Sequence, residues 1–195
     1  MSSTVIVGFD KTGTLLEEEV GAIHNSWRGA PVIWRYFEEK YLEPWFPDYI
    51  SEEEKAKGID VFEQRHGYRP SRLLRFSDNS LDEICELAYN PDIPEDERIV
   101  LITTFDKVLV RKEEIPCVIE AFRNFPEETS LPEQADILEM AYNDSDIVAV
   151  GWIQTTVCCD MWCGGYDEDN DEEIPYNFNV NKEHHWVFDL LNGRA

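Results

Sequence analysis

The densest group of side chains that could do chemistry is an acidic run from Asp167 to Glu173, in which six of seven residues carry a carboxylate. Carboxylates at this density are typical of calcium loops or of surfaces that meet Lys and Arg of a partner. A calcium loop needs glycine at its sixth position and glutamate at its twelfth, where this chain has Glu172 and Phe178. We therefore interpret the run as a flexible acidic loop at about 164–175 that contacts a basic partner.

A second candidate is Asp10, which follows the apolar run 4–9 and precedes a second strand-like run at 14–20. Between the two runs, Asp10 can cap a turn and Gly13 can adopt the positive φ that such a turn requires. The pattern predicts a β-hairpin in which Asp10 is a turn residue.

The same residues allow an enzymatic interpretation. Residues 5–15 resemble the phosphorylation motif of P-type ATPases and, more broadly, motif I of the haloacid dehalogenase superfamily. The resemblance implies that Asp10 attacks a phosphoryl group, with Mg²⁺ as cofactor. It also implies Thr104, at the end of the strand-like run 98–104, as a phosphate-binding hydroxyl, and Lys107 or Lys112 as the neutralising lysine. Thr12 and Trp152 stand where the family carries further acids, which favours the turn.

Cysteine and histidine give no recognisable metal motif. Cys158, Cys159, Cys163, His184 and His185 match no standard zinc spacing, so we predict no metal site. The odd total of five cysteines indicates no disulfide framework and suits a reducing cytosol.

Charge limits the classes of partner. The chain has 41 acidic and 17 basic residues, a formal charge of -24 over 195 residues. This surface repels nucleic acid and anionic membranes and attracts basic proteins. A local cluster of Arg65, Arg69, Arg72 and Arg75 is predicted to pair with carboxylates of the same chain.

The apolar patterning predicts an α+β protein. Helices are expected through much of 25–90, at 113–125 and at 132–142, and strands at 98–105, 108–111, 146–157 and 184–191. Hairpins 4–20 and 98–111 imply a mainly antiparallel sheet with helices packed on it. With 43% hydrophobic residues, no linker-like stretch and no apolar run of membrane-spanning length, we expect 1–195 to form a single cytoplasmic domain.

We therefore hypothesise a non-enzymatic acidic binding protein that occupies the basic nucleic-acid-binding surface of a partner protein. This class includes DNA mimics, nuclease inhibitors and immunity-like proteins, and it needs no cofactor. The alternative is the Mg²⁺-dependent phosphohydrolase that uses Asp10, Thr104 and Lys107. The candidate partner-binding residues are Glu17, Glu18, Glu19, Glu52, Glu53, Asp167, Glu168, Asp169, Asp171, Glu172 and Glu173.

Overall fold

The computed structural model describes residues 3–24, 29–74, 81–154 and 162–193, and these residues form an α+β fold, as predicted. The strands are β1 (Ser3–Phe9), β2 (Leu15–His24), β3 (Val108–Arg111), β4 (Ala149–Gln154), β5 (Cys163–Asp167), β6 (Glu172–Pro175) and β7 (His185–Trp186). The helices are α1 (Ala30–Tyr41), α2 (Glu52–Lys55), α3 (Ile59–His66), α4 (Asp82–Cys85), α5 (Glu95–Ile102), α6 (Ile115–Asn124), α7 (Leu131–Asn143) and α8 (Val187–Leu191). Arg75, Cys158 and Cys159 lie outside the described residues.

The main sheet has the strand order β2-β1-β4-β3-β7. Its neighbours are antiparallel, except that β7 lies parallel to β3. The predicted hairpin of β1 and β2 is present, and β2 continues to His24. The mainly antiparallel sheet is therefore confirmed, and β2 lies at one edge of it.

Both faces of this sheet are apolar. Alternate residues of each strand point to opposite sides of the sheet, and both sets include buried apolar side chains. Ile6 and Trp152 join a core that includes buried residues of α1, α5, α6, α7 and α8. Val7 and Phe9 point the other way, into a second cluster with Trp162 and Tyr176. The sheet thus has helices on one face and, on the other, the β5–β6 hairpin with Tyr176 and Phe178 after it.

The prediction of a strand at 98–105 is wrong, because these residues belong to α5 and the turn after it. Three acidic residues in the first turn stabilise the start of this helix, where the helix dipole is positive. Residues 99–102 of this helix are all apolar and buried. A buried strand has the same composition. A short run that is apolar on all sides has no periodicity that separates helix from strand. The predicted second hairpin is therefore absent, and β3 pairs with β4 and β7.

The prediction of a terminal strand at 184–191 is confirmed only at His185 and Trp186 and is wrong from Val187 onward. β7 has two residues, and α8 follows directly. Val187, Leu190 and Leu191 are buried on one face of α8, which is the spacing of a helix rather than the alternation of a strand.

Candidate functional site

A groove lies between β2 and the β5–β6 hairpin, on the sheet face opposite the helices. It consists of two adjoining cavities of about 260 and 730 Å³, which share Leu15, Leu16, Glu17 and Ile153. Its apolar lining includes Val5, Val7, Leu15, Ile153, Ile174 and Pro175, and its rim carries Glu17, Glu18, Glu19 and Glu173. We call this feature the acid-rimmed groove.

The rim glutamates of β2 are exposed because the strand bulges away from β1. Between the pairs Ile6–Gly21 and Phe9–Leu15, β1 has two residues and β2 has five. Glu19 still pairs with Val7, with a register shift on each side of this pair, and the surplus residues include Glu17 and Glu18. The three exposed glutamates therefore project from an irregular edge. None of the ion pairs among the described residues includes these glutamates.

The acidic run 167–173 belongs to a hairpin, where the sequence predicts a loop. Strands β5 and β6 pair through Asp167 opposite Glu172 and Tyr166 opposite Glu173. The carboxylate of Asp167 accepts hydrogen bonds from the backbone N–H of Asp169 at 3.0 Å and from the Asn170 amide at 2.8 Å. The Asn170 side chain and then the Asp169 backbone lower the pKa of Asp167. A turn closed by these bonds brings the strands together.

The acids of the hairpin divide into two groups. Asp167 closes the turn, and Asp171 accepts a hydrogen bond from the Tyr166 hydroxyl while its backbone has a left-handed φ of 58°. The second group is exposed and takes part in no ion pair among the described residues; it comprises Glu168, Asp169, Glu172 and Glu173. This second group is available to a partner.

The groove opens where β2 and the chain after β6 separate. Thr14 and Asn177 form an antiparallel bridge, and the Leu15 N–H donates to the Tyr176 carbonyl at 2.8 Å. One residue further on, Pro175 has no N–H to donate, and β2 begins its bulge. Beyond Leu15, the described residues supply no backbone partner for the outer edge of β2.

Glu52 and Glu53, the remaining candidate contacts, lie apart from the groove on α2. Lys55 pairs with Glu52 at 2.7 Å, and Lys57 pairs with Glu53 at 3.3 Å. Their charges are balanced within the same short segment, so the structure gives them no role at the groove.

The arginine cluster pairs internally, as predicted for its described members. Arg65 pairs with Glu54, and Arg69 lies 3.1 Å from Glu63. Arg72 pairs with Glu83 at 2.7 Å and also contacts the buried Glu38. Each described arginine of the cluster therefore has a carboxylate of the same chain as its partner.

Asp10 closes the hairpin turn between β1 and β2. Its Oδ1 accepts hydrogen bonds from the Thr12 N–H at 2.8 Å, the Thr12 hydroxyl at 2.7 Å and the Thr14 N–H at 2.9 Å. The Thr12 hydroxyl, followed by the Thr14 N–H, lowers the pKa of Asp10. Gly13 has the predicted positive φ, at 86°. Asn179 locks the turn by donating to the Thr12 carbonyl at 2.8 Å.

The structure does not bring the implied phosphohydrolase residues together. Phe9 and Arg111 share the partner Ala149 on β4, so these two residues lie level across the sheet. Asp10 lies one residue beyond this level, and Lys107 lies four residues before it. Five residue steps of about 3.3 Å separate them by about 16 Å along the strands. Lys107 pairs with Glu183 at 2.6 Å.

Thr104 and Lys112 are also engaged elsewhere. The Thr104 hydroxyl donates to the Leu101 carbonyl at 2.7 Å and accepts a hydrogen bond from the Trp34 indole at 2.8 Å. It therefore tethers α1 to the end of α5. Lys112 lies at the Asp10 end of the sheet, but its ammonium group donates to the Asp144 carbonyl.

The described residues contain no group of three or more His, Cys, Asp or Glu arranged to hold a metal ion. His184 instead packs within an aromatic cluster, with Nδ1 3.2 Å from the Tyr176 hydroxyl. Burial is the main cause of its lowered pKa. Among the residues that the structure describes, no helix has both the length and the apolar character needed to cross a membrane.

Sequence reasoning missed the apolar lining of the groove. The signal was present in β1, where Val5, Ile6 and Val7 are apolar at consecutive positions rather than at alternate ones. Such a strand has apolar side chains on both faces, which predicts a second packed layer. It could not indicate that this layer leaves part of the face open.

Comparisons with protein-family models, with curated proteins and with solved structures found no match for this chain.

Proposed function

We propose that this protein is a non-enzymatic acidic binding protein that occupies the basic nucleic-acid-binding surface of a partner protein. Its carboxylates take the positions that phosphates take in the nucleic-acid complex of that partner. The acid-rimmed groove and the adjoining turn of the β5–β6 hairpin form the contact surface.

One observation carries the proposal: glutamates of β2 and β6 that join no ion pair among the described residues, and that are more than 150 residues apart in the chain, meet at one groove. Elsewhere, described lysines and arginines lie beside acids, as with Lys40 and Glu97 at 2.9 Å or Arg123 and Glu139 at 2.8 Å. At the groove, no ion pair with a described lysine or arginine offsets the charge of these glutamates. Exposed carboxylates keep their hydration until a partner arrives, and they accelerate its approach by long-range attraction.

The density of these acids supports mimicry of phosphates. Glu17 to Glu19 and Glu172 to Glu173 are consecutive runs of carboxylates. A nucleic-acid strand likewise carries one negative charge on each nucleotide. Lysine and arginine side chains arranged to follow a phosphate backbone can pair with carboxylates at this density.

The test begins with capture of partners from an extract of the source cells on the immobilised full chain. Elution with rising salt and then with competing duplex DNA should release the same nucleic-acid-binding protein. The partner is then purified, and the displacement of labelled duplex DNA from it by this protein is measured. A ternary complex, in which the partner holds DNA and this protein together, would contradict the proposal.

Matched variants separate the groove from net charge. The triple variant Glu17→Gln, Glu18→Gln and Glu19→Gln removes three charges from the groove rim. The control Glu86→Gln, Glu120→Gln and Glu127→Gln removes three charges from exposed positions that do not line the groove. We expect the first to weaken partner binding about tenfold or more and the control to change it by less than about twofold. Equal losses would show that only total charge matters.

A further inference from the structure

We propose that the acid-rimmed groove receives an extended, basic amphipathic segment of the partner, whose apolar side chains pack on the groove floor while its Lys or Arg side chains meet the rim. The basic character of the segment rests on the proposed function. The extended backbone and the apolar anchors rest on the groove itself, and they distinguish this mode of binding from the mimicry of phosphates alone.

The floor and one wall supply the apolar contacts. Val5, Leu15 and Ile153 are half-buried, and Ile174 on the hairpin wall is 46% exposed. Apolar side chains from three strands and a hairpin thus face one open space. A phosphate mimic that bound by charge alone would have no need of this lining, whereas an inserted apolar side chain would remove it from water.

The walls favour an extended backbone. Beyond Leu15, the outer edge of β2 has no backbone partner among the described residues, so its N–H and C=O groups can pair with an added strand. In an extended segment, alternate side chains face opposite sides, so apolar residues can point to the floor while basic residues point to the rim. The groove therefore matches a strand in which the two types alternate.

Charge selects a basic partner over a second copy of this chain. An exposed strand edge is a general hazard because it can pair with any other edge. Here Glu17, Glu18 and Glu19 would face the same glutamates of a second copy, and like charges opposite each other are destabilising. A basic strand finds opposite charges at the same positions, so the rim rejects one partner and attracts the other.

Two labelled eight-residue peptides of equal composition test the proposal. In the first, lysine and valine alternate singly; in the second, they alternate in pairs, so that an extended backbone has no apolar face. Fluorescence anisotropy with the full chain at about 50 mM and about 300 mM NaCl measures both affinities. We expect the alternating peptide to bind at least about fivefold more tightly and to slow amide hydrogen exchange in β2.

A matched pair of variants tests the apolar contact separately from charge. Ile174→Asp and Val180→Asp each add one negative charge at an exposed apolar residue, and Val180 does not line the groove. Attraction by charge alone would tighten peptide binding to both variants. We expect Ile174→Asp to weaken binding of the alternating peptide about fivefold and Val180→Asp to leave it unchanged or slightly tighter.

Equal affinity for the two peptides, or tighter binding to Ile174→Asp, would overturn the inference. If the full partner still depended on the rim glutamates, the proposed function would remain. Conversely, selective peptide binding without any partner that competes with DNA would support the groove mode and contradict the proposed function. The two proposals can therefore fail independently.

Discussion

Asp10 lies in a sequence that resembles a catalytic motif, but its carboxylate stabilises the backbone of a turn. Its Oδ1 accepts bonds from Thr12 and Thr14 within the turn. These donors stabilise the ionised form, so they lower the pKa and hold the side chain in place. The residue types that make a phosphoryl-transfer motif recognisable are also those that close a tight turn.

Removing the Asp10 carboxylate should therefore destabilise the fold. We expect Asp10→Ala to lower the free energy of unfolding by about 1 kcal/mol, because the turn loses the acceptor of three hydrogen bonds. Asp10→Asn, which keeps an acceptor oxygen, should lose less. Urea unfolding at neutral pH measures both. Asp146→Ala is the control, since its contact with Lys11 is 3.9 Å long and exposed, and it should change stability little.

The direction of the pKa shift of Asp10 sets how its contribution to stability depends on pH. The pKa of Asp10 in the folded chain is lower than the ordinary value of 3.8, so the folded state binds the proton less tightly than the unfolded state. The stabilisation is then present above the unfolded value and is lost as the pH falls through the folded value. A titration of Asp10 by NMR should give a pKa below 3.8; a value at or above it would contradict this account.

The β5–β6 hairpin orients the acidic run 167–173, because its base is packed against the main sheet. Trp162, just before β5, and Tyr176, just after β6, anchor the hairpin by packing against each other with ring centroids 5.1 Å apart. Both also contact Phe9 of the sheet. The apolar anchors hold the base of the hairpin on the sheet, so that its acidic turn extends away and Glu173 faces the groove.

Close approach of the two hairpin strands depends on Gly164. A Cβ at this residue would lie 2.5 Å from the Pro175 carbonyl oxygen, which is too close for a carbon atom and an oxygen atom that are not bonded. We expect Gly164→Ala to force the strands apart and to lower the free energy of unfolding by about 1–3 kcal/mol. Tryptophan fluorescence during urea unfolding measures the loss. Glu172→Ala on the neighbouring strand is the control, and an equal effect of the two changes would contradict the packing argument.

At the scale of the whole molecule, the net charge of -24 acts on stability as well as on partners. Most of the described Lys and Arg side chains form ion pairs, such as Arg111 with Asp189 at 2.7 Å. The remaining carboxylates repel one another in the folded state and less so in the expanded unfolded state. This repulsion lowers the stability of the folded state, while the same charge favours association with basic proteins.

Salt should stabilise this protein. Raising NaCl from about 50 mM to about 300 mM screens the repulsion, and we expect the Tm to rise by about 3 °C, which corresponds to roughly 1 kcal/mol for a chain of this size. The variant Glu86→Gln, Glu120→Gln and Glu127→Gln should have a higher Tm at low salt and a smaller rise with salt. A Tm that falls with added salt would show that ion pairs outweigh the repulsion. Differential scanning calorimetry measures both chains.

The sequence by itself determined the α+β class, the first hairpin, the helices α1, α6 and α7 and the turn role available to Asp10. In each, the evidence is local: apolar periodicity over a dozen residues, or turn residues between two strands. The tertiary structure decided that 98–104 belongs mainly to α5, because a fully buried apolar run carries no periodicity. It also decided that Glu17 and Glu173 share one groove while Asp10 and Lys107 stand apart. Sequence separation does not encode these distances; strand order and register do.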